Sequence, residues 1–157
     1  MNVQQKNEEK GFTIIEVVLV LAIAGLIFLM VFIALPALQR GQRDTQRRSD
    51  LSRALTKVTD YQTNNRGNLP ASNNGAWTTF AGNYLRASGD AFDDPARGAY
   101  TFNVTDTDPS YNTDSAVITV SPNSTCDGEN IDPAGTSNRK VALRMKLEGG
   151  GIACSSN

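Results

Sequence analysis

GFTIIEVVLVLAIAGLIFLMVFIALP, residues 11–36, decides the fold of this chain. Between residues 12 and 35 only Thr13 and Glu16 are polar. About 24 helical residues at a rise of 1.5 Å span roughly 36 Å, enough to cross a bilayer with some tilt. One carboxylate interrupts this hydrocarbon. On insertion scales an acidic residue at the centre of a membrane helix costs about 2.5 to 3.5 kcal/mol, and less near an end, so Glu16 is a candidate functional residue that needs a partner. A cleaved secretory signal has an apolar stretch of about 7 to 15 residues followed by a small-residue cleavage site. This run is longer, and no such site follows it.

The bulk composition fits one modest domain plus an anchor: 157 residues, 39% hydrophobic and 20% charged. There is no histidine, and the two cysteines, Cys126 and Cys154, form no CxxC pair. A histidine-based triad and a His/Cys zinc site are therefore excluded. Charge is unevenly placed. Residues 37–66 carry seven basic and three acidic side chains, a balance of +4, whereas residues 67–157 carry six basic and ten acidic, a balance of −4.

Ahead of the apolar run stands a polar segment, MNVQQKNEEKG, that ends on a glycine at the membrane boundary. Lys10, Gly11, Phe12, Thr13 and Glu16, followed by the apolar run, resemble the processing site and assembly helix of type IV pilins and of the related pseudopilins of type II secretion. The resemblance is close from residue 10 to residue 36 and looser beyond. It implies that a membrane prepilin peptidase cuts after Gly11 on the cytoplasmic side and methylates the new amino terminus. Residues 1–11 would then be a leader peptide, and Phe12 the methylated first residue of the mature chain. Residues 12–36 would be the transmembrane and filament-core helix, 37–66 its amphipathic continuation, and 67–157 a globular region with an αβ-loop, an antiparallel sheet and a C-terminal disulfide region.

Cleavage would supply a partner for Glu16. A cationic amine on Phe12 lies four residues away, about 6 Å along a helix axis. The pair closes either within one chain, where Glu16 also complements the positive end of the helix dipole, or between chains. The resemblance implies the second, with Glu16 of an incoming subunit meeting the amine of a neighbour in the filament. Gly25 falls where bacterial pilins carry a glycine at which the helix loosens on assembly. The usual proline would stand at Ile33, whereas this chain has Pro36, so a melted segment between Gly25 and Pro36 is an expectation from glycine and proline physics together with that partial match.

Beyond Pro36 the helix is expected to resume. Leu51, Ala54, Leu55, Val58 and Tyr61 recur at three- and four-residue spacing and mark a stripe able to hold a sheet. The stretch from Gln39 to Arg48 is polar all round, and Gly41 makes a bend plausible there. Asn64, Asn65, Gly67 and Pro70 end the helix. Residues 67–98 read as a connecting region. Strands follow at AYTFNV (99–104), AVITV (116–120) and VALRMKL (141–147), the last alternating Val141, Leu143, Met145 and Leu147 against Ala142, Arg144 and Lys146. Three antiparallel strands on the helical stripe give an α+β, pilin-like fold.

Four arginines after the span, against Lys6 and Lys10 before it, would by the positive-inside rule keep the C-terminal region in the cytoplasm. The resemblance implies the opposite: a single-pass precursor in the inner membrane with its C-terminal domain outside, then an extracellular pilus. Cys126 and Cys154 bracket the C-terminal segment as a disulfide would in an oxidising space, and two unconnected buried thiols are the alternative. The resemblance also implies a structural role without enzymatic activity or cofactor. Its partners would be further copies of itself in a helical homopolymer, the prepilin peptidase, the pilus assembly platform and, before assembly, the membrane. The filament would serve adhesion, twitching motility or DNA uptake. Alternatives are a pseudopilin of a type II secretion system and a membrane-anchored, nucleic-acid-binding minor pilin using the basic helix from Arg40 to Lys57. Two acidic stretches, GDAFDDP and DTDPSYNTD, are candidates for calcium or for solvated turns. The +4 helix and −4 domain can neutralise each other in part, and the remainder suggests that the basic segment around Arg40 to Arg48, Arg43 and Arg47 included, meets acidic loops, residues 90–94 or 106–114, of a neighbouring copy.

Overall fold

The computed structural model describes residues 11–87, 89, 91–106, 116–133 and 137–157. The chain divides into two compact units, Met1–Leu38 and Gln39–Asn157. Among the described residues of the first unit the regular element is the beginning of helix α1 (Ile14–Asn64), which is unbroken at Gly25 and Pro36. Because its side chains are apolar on every face, no face is preferred, and none is covered: Leu21 is 66% exposed, Phe28 65% and Phe32 76%.

In the second unit α1 continues through Gly41, and one stripe of it is buried: Asp44, Arg47, Asp50, Leu51, Ala54, Val58 and Gln62. The three- and four-residue spacing puts these on one face. The chemistry of the stripe changes along its length, from ionic at Asp44 and Arg47, through apolar, to an amide at Gln62. After the helix stop, Asn73 caps a short helix α2 (Asn74–Phe80), its Oδ1 accepting the Ala76 amide at 2.8 Å. A π-helical turn, Ala81–Leu85, continues α2. The sequence reading took this region as a connecting loop. It delivers Trp77 and Phe80, 0% and 2% exposed, to the core, where Trp77 meets Phe80 at 5.4 Å and Phe102 at 6.0 Å between ring centroids.

The strands are β1 (Asp93–Asp94), β2 (Gly98–Ala99), β3 (Thr101–Val104), β4 (Val117–Pro122), β5 (Ser124–Asp127), β6 (Asn130–Pro133), β7 (Val141–Lys146) and β8 (Ile152–Ser156). β3, β4, β7 and β8 form one sheet in that order. β4 with β7 and β7 with β8 are antiparallel, but β3 runs parallel to β4, with Thr101 opposite Val117 and Val104 opposite Val120. This corrects the expectation of three antiparallel strands. A parallel pair needs a crossover of about a dozen residues, and the interval from 105 to 116 supplies it. Arg144, which the alternation sets on the face opposite Val141, Leu143 and Met145, is nevertheless 0% exposed. The chain leaving β3 covers that face: Arg144 Nη2 donates to the Asp106 carbonyl at 3.3 Å, and Ser121 Oγ to the Thr105 carbonyl at 2.9 Å. The core of this unit gathers Leu51, Val58, Phe92, Ile118, Val120 and Leu143, all at most 1% exposed.

Candidate functional site

The N-terminal motif folds as a reciprocal cap. Thr13 precedes the first residue of α1, and its side-chain oxygen accepts the Glu16 amide at 3.3 Å. Glu16 Oε2 in turn accepts the Thr13 amide at 3.1 Å and the Thr13 hydroxyl at 2.9 Å. This is a capping box, in which two donors left over at a helix start are satisfied by one Thr and one Glu three residues on. The sequence reading placed Thr13 in the motif but did not read it as a cap, although the T-x-x-E spacing was there to be read. Phe12 is 87% exposed, and a Cβ added at Gly11 or Gly25 would meet nothing within 4 Å. Packing within the chain therefore does not require glycine at either position. Pro36 lies inside the helix.

A second cluster was not foreseen. Arg47, 2% exposed, reaches Asp94 through both Nε and Nη2, Asp44 Oδ1 at 3.0 Å and Glu148 Oε1 at 2.8 Å. Arg43 completes the group with a fork onto Glu148, Nη2 to Oε2 at 2.6 Å. Asp44 also accepts the backbone amides of Glu148 at 2.9 Å and Gly149 at 2.7 Å, tying the β7–β8 turn to α1. Hydrogen bonds from Arg43, helped by Arg47, hold the Glu148 carboxyl down to about 2, although burial acts against them. Burial disfavours the charge on Arg47, yet hydrogen bonds to Asp94 and Glu148 outweigh it and raise its pKa. Close by, the Tyr100 hydroxyl donates to Asp50 Oδ2 at 3.1 Å; burial pushes both groups up, with the Asp50 charge adding to the effect on Tyr100.

For Arg43 and Arg47, two members of the basic segment from Arg40 to Arg48, these contacts correct the expectation of partners in a neighbour's acidic loops. Their partners lie in their own chain, because the first turns of the buried stripe place them against Asp94 and the β7–β8 turn. Asp90 and residues 107–115 lie outside the described residues. The basic helix is depleted in the same way: Arg53 pairs with Asp50 at 3.4 Å and lies 5.1 Å from the Phe92 ring, and Lys57 pairs with Asp60 at 3.1 Å. Four of the six basic residues from Arg40 to Lys57 are thus engaged, which leaves little of a phosphate track. Among the described residues no group of three Asp, Glu, Cys or His is placed to hold a metal ion.

Cys126 on β5 and Cys154 on β8 are joined in a disulfide with their Cα atoms 5.9 Å apart. Of the two readings left open by the sequence, the bridge is the one observed.

Residues 6–32 match the family model described as the prokaryotic N-terminal methylation motif. No curated protein and no solved structure matches the chain. The chain thus carries a prepilin motif of the kind found in type IV pilins and pseudopilins, on a long N-terminal helix whose 18-residue window of mean hydropathy 3.2 is long and apolar enough to cross a membrane. Together with the α+β, pilin-like architecture, this supports a type IV pilin- or pseudopilin-like protein with an N-terminal helix suited to membrane anchoring.

Proposed function

We propose that this chain is the structural subunit of a type IV pilus, polymerising through residues 12–36 into a surface filament. One observation carries the reading. The apolar side chains of α1 up to Leu38 are exposed on every face, while the core of the other unit is complete without them. Such a surface has no stable place in water, and two settings cover it on all sides: a bilayer before assembly and a bundle of like helices afterwards. Cleavage after Gly11, catalysed by a prepilin peptidase, frees and exposes the Phe12 amine for methylation. Glu16 then recruits the subunit by pairing with the amine of a neighbour, which sets register between staggered helices. Gly25 and Pro36 are the weak points at which the helix yields on packing. The disulfide between β5 and β8 suits any oxidising space outside the cytoplasm, and its resemblance to the C-terminal disulfide region of pilins is what favours a pilus over a secretion pseudopilus.

Electron microscopy of sheared surface fibres, with mass spectrometry of their main band, tests this. The expected result is fibres built of chains that start at N-methyl-Phe12. Fibres whose subunits retain residues 1–11, or cells whose processed chain stays in short periplasmic assemblies linked to secretion, would overturn it.

A further inference from the structure

Two surfaces of the unit Gln39–Asn157 carry opposite charge that the unit itself leaves unused. The first is a cleft of about 400 Å³ at the C-terminal end of α1, lined among others by Gln62, Arg66, Arg139, Lys140 and Asn157. Three cations line it, and none of the lining side chains is a carboxylate. The cleft is a built structure. Arg66 and Gly67 both take left-handed backbone, φ 58° and 84°, so that the Gly67 amide returns to the Gln62 carbonyl at 2.7 Å and the helix ends in a tight cap. The Gln62 side chain donates to the Arg139 carbonyl at 2.7 Å and accepts from Asn157 Nδ2 at 2.9 Å, which fixes the entry to β7 against the helix end. Arg139 Nε lies 3.0 Å from where a Cβ on Gly67 would stand. Lys140 Nζ donates to the Asn157 carbonyl at 2.8 Å. Among the described residues neither Arg66 nor Arg139 is in an ion pair with a carboxylate side chain.

The second surface is the β5–β6 hairpin. Asp127, Glu129 and Asp132 are all exposed on it, residues 124–133 contain no Lys or Arg, and none of the three carboxylates is in an ion pair among the described residues. The disulfide and the Cys126 amide, which donates to Ser156 Oγ at 3.0 Å, hold the hairpin on β8. Its tip lies over the β7–β8 turn, since Glu129 Oε1 is 2.6 Å from a Cβ position at Gly151. Asp44 binds the same turn. The hairpin tip is therefore level with Asp44 and the cleft with Gln62, about 27 Å apart along the helix axis. The two charges stand at opposite ends of one unit.

We propose that the cleft of one copy receives the acidic hairpin of the next, in a head-to-tail contact between pilin subunits. The proposal rests on the filament reading above. Two different patches on identical subunits make a heterologous contact, which propagates along an axis instead of closing. Two guanidinium groups suit carboxylate partners, and the cleft lining has no aromatic side chain of the kind on which nucleic-acid bases stack. Each such exposed pair is weak and screened by salt, so the contact counts through repetition.

Charge exchange in fibre-producing cells tests it. Arg66→Asp with Arg139→Glu, or Asp127→Lys with Glu129→Lys, should each lower sheared-fibre yield by about threefold or more, and more at low salt than at high. All four positions are exposed, so the Tm of the unit should not change. The four substitutions together exchange the two signs and should restore yield to within about twofold of the parent. A fourfold variant no better than the worse pair overturns the contact, as does unchanged yield for either pair alone. Unchanged yield with lost DNA retention in the cleft variant would overturn it in favour of a phosphate polymer. N-methyl-Phe12 in the parent fibres reports the filament reading separately; if no such fibres form, that reading falls and the contact falls with it.

Discussion

The two stretches of α1 bury opposite shares of their surface. Before Leu38 the large apolar side chains are 46% to 87% exposed, whereas Leu51, Ala54 and Val58 are at most 1% exposed. The difference lies in pattern more than in hydrophobicity. A stripe at three- and four-residue spacing tells the helix which face to cover, and one small sheet is enough to cover it. A segment apolar all round gives no such instruction and takes its covering from outside the chain. One stretch makes a fold, and the other makes the demand for an assembly.

The comparison breaks most completely at the N-terminal motif. Gly11→Val should leave an uncut precursor in the membrane, and Glu16→Ala a processed monomer that assembles poorly. In both, sheared-fibre yield should fall by tenfold or more while melting of the Gln39–Asn157 unit stays the same, a separation that calorimetry and fibre counts read together. Normal fibre numbers with Glu16→Ala would show that the carboxylate has another role.

The next largest effect tests where the second region begins. A fragment starting at Gln39 should fold, whereas one starting at Leu51 lacks Asp44, Arg47 and Asp50 and leaves Asp94, whose side chain is 0% exposed, without its guanidinium. An orphaned buried charge costs about 3 to 5 kcal/mol. The Leu51 fragment should therefore melt lower by on the order of 10 °C or fail to fold, as thermal denaturation would report. Arg47→Met alone should reproduce much of that loss, since the same carboxylates lose their partner.

Cys154→Ser opens a loop of 28 residues in sequence separation and should lower stability by about 3 to 4 kcal/mol in the chain-entropy model. Hydrogen exchange should show amides of β5 and β6 released first, with those of β4 and β7 little changed. Alkylation of native protein without reductant should label neither cysteine.

The smallest effect is a pH limb. Glu148 titrates at about 2 in the folded chain against an ordinary value of 4.5. Its unfolded carboxylate takes up a proton first, so its contribution is full above pH 4.5 and is lost as pH falls from 4.5 towards 2. Asp50, pushed up by burial, has the opposite sign and gains stability on protonation. Glu148→Gln should flatten the fall in Tm over that window, and an unchanged slope would place the acid-sensitive group elsewhere.

Local pattern was legible and distant pairing was not. The membrane-length run, the processing residues, the stripe from Leu51 to Val58 and the alternation in β7 all repeat within a few residues, so each declares its environment by itself. Arg47 does not. In a polar stretch it reads as solvated, because Asp94 and Glu148 stand 47 and 101 residues away. The same distance hid the parallel pairing of β3 with β4. Helix α2 and β8 are short elements among Gly, Asn and Ser, where local preference is weak. The two-residue turn Gly128-Glu129 between β5 and β6, with glycine at its first position and φ 62°, was a missed hairpin signal. Cys126 and Cys154 were legible as a pair only because no other cysteine competed.

The Thr13–Glu16 cap gives the precursor a way to wait. Its carboxylate already accepts two donors from its own chain, so it is a shielded acceptor and not a bare anion in the lipid. On the filament reading proposed above, pairing with a neighbour's amine would be an exchange of donors, and its driving force the difference between two satisfied states.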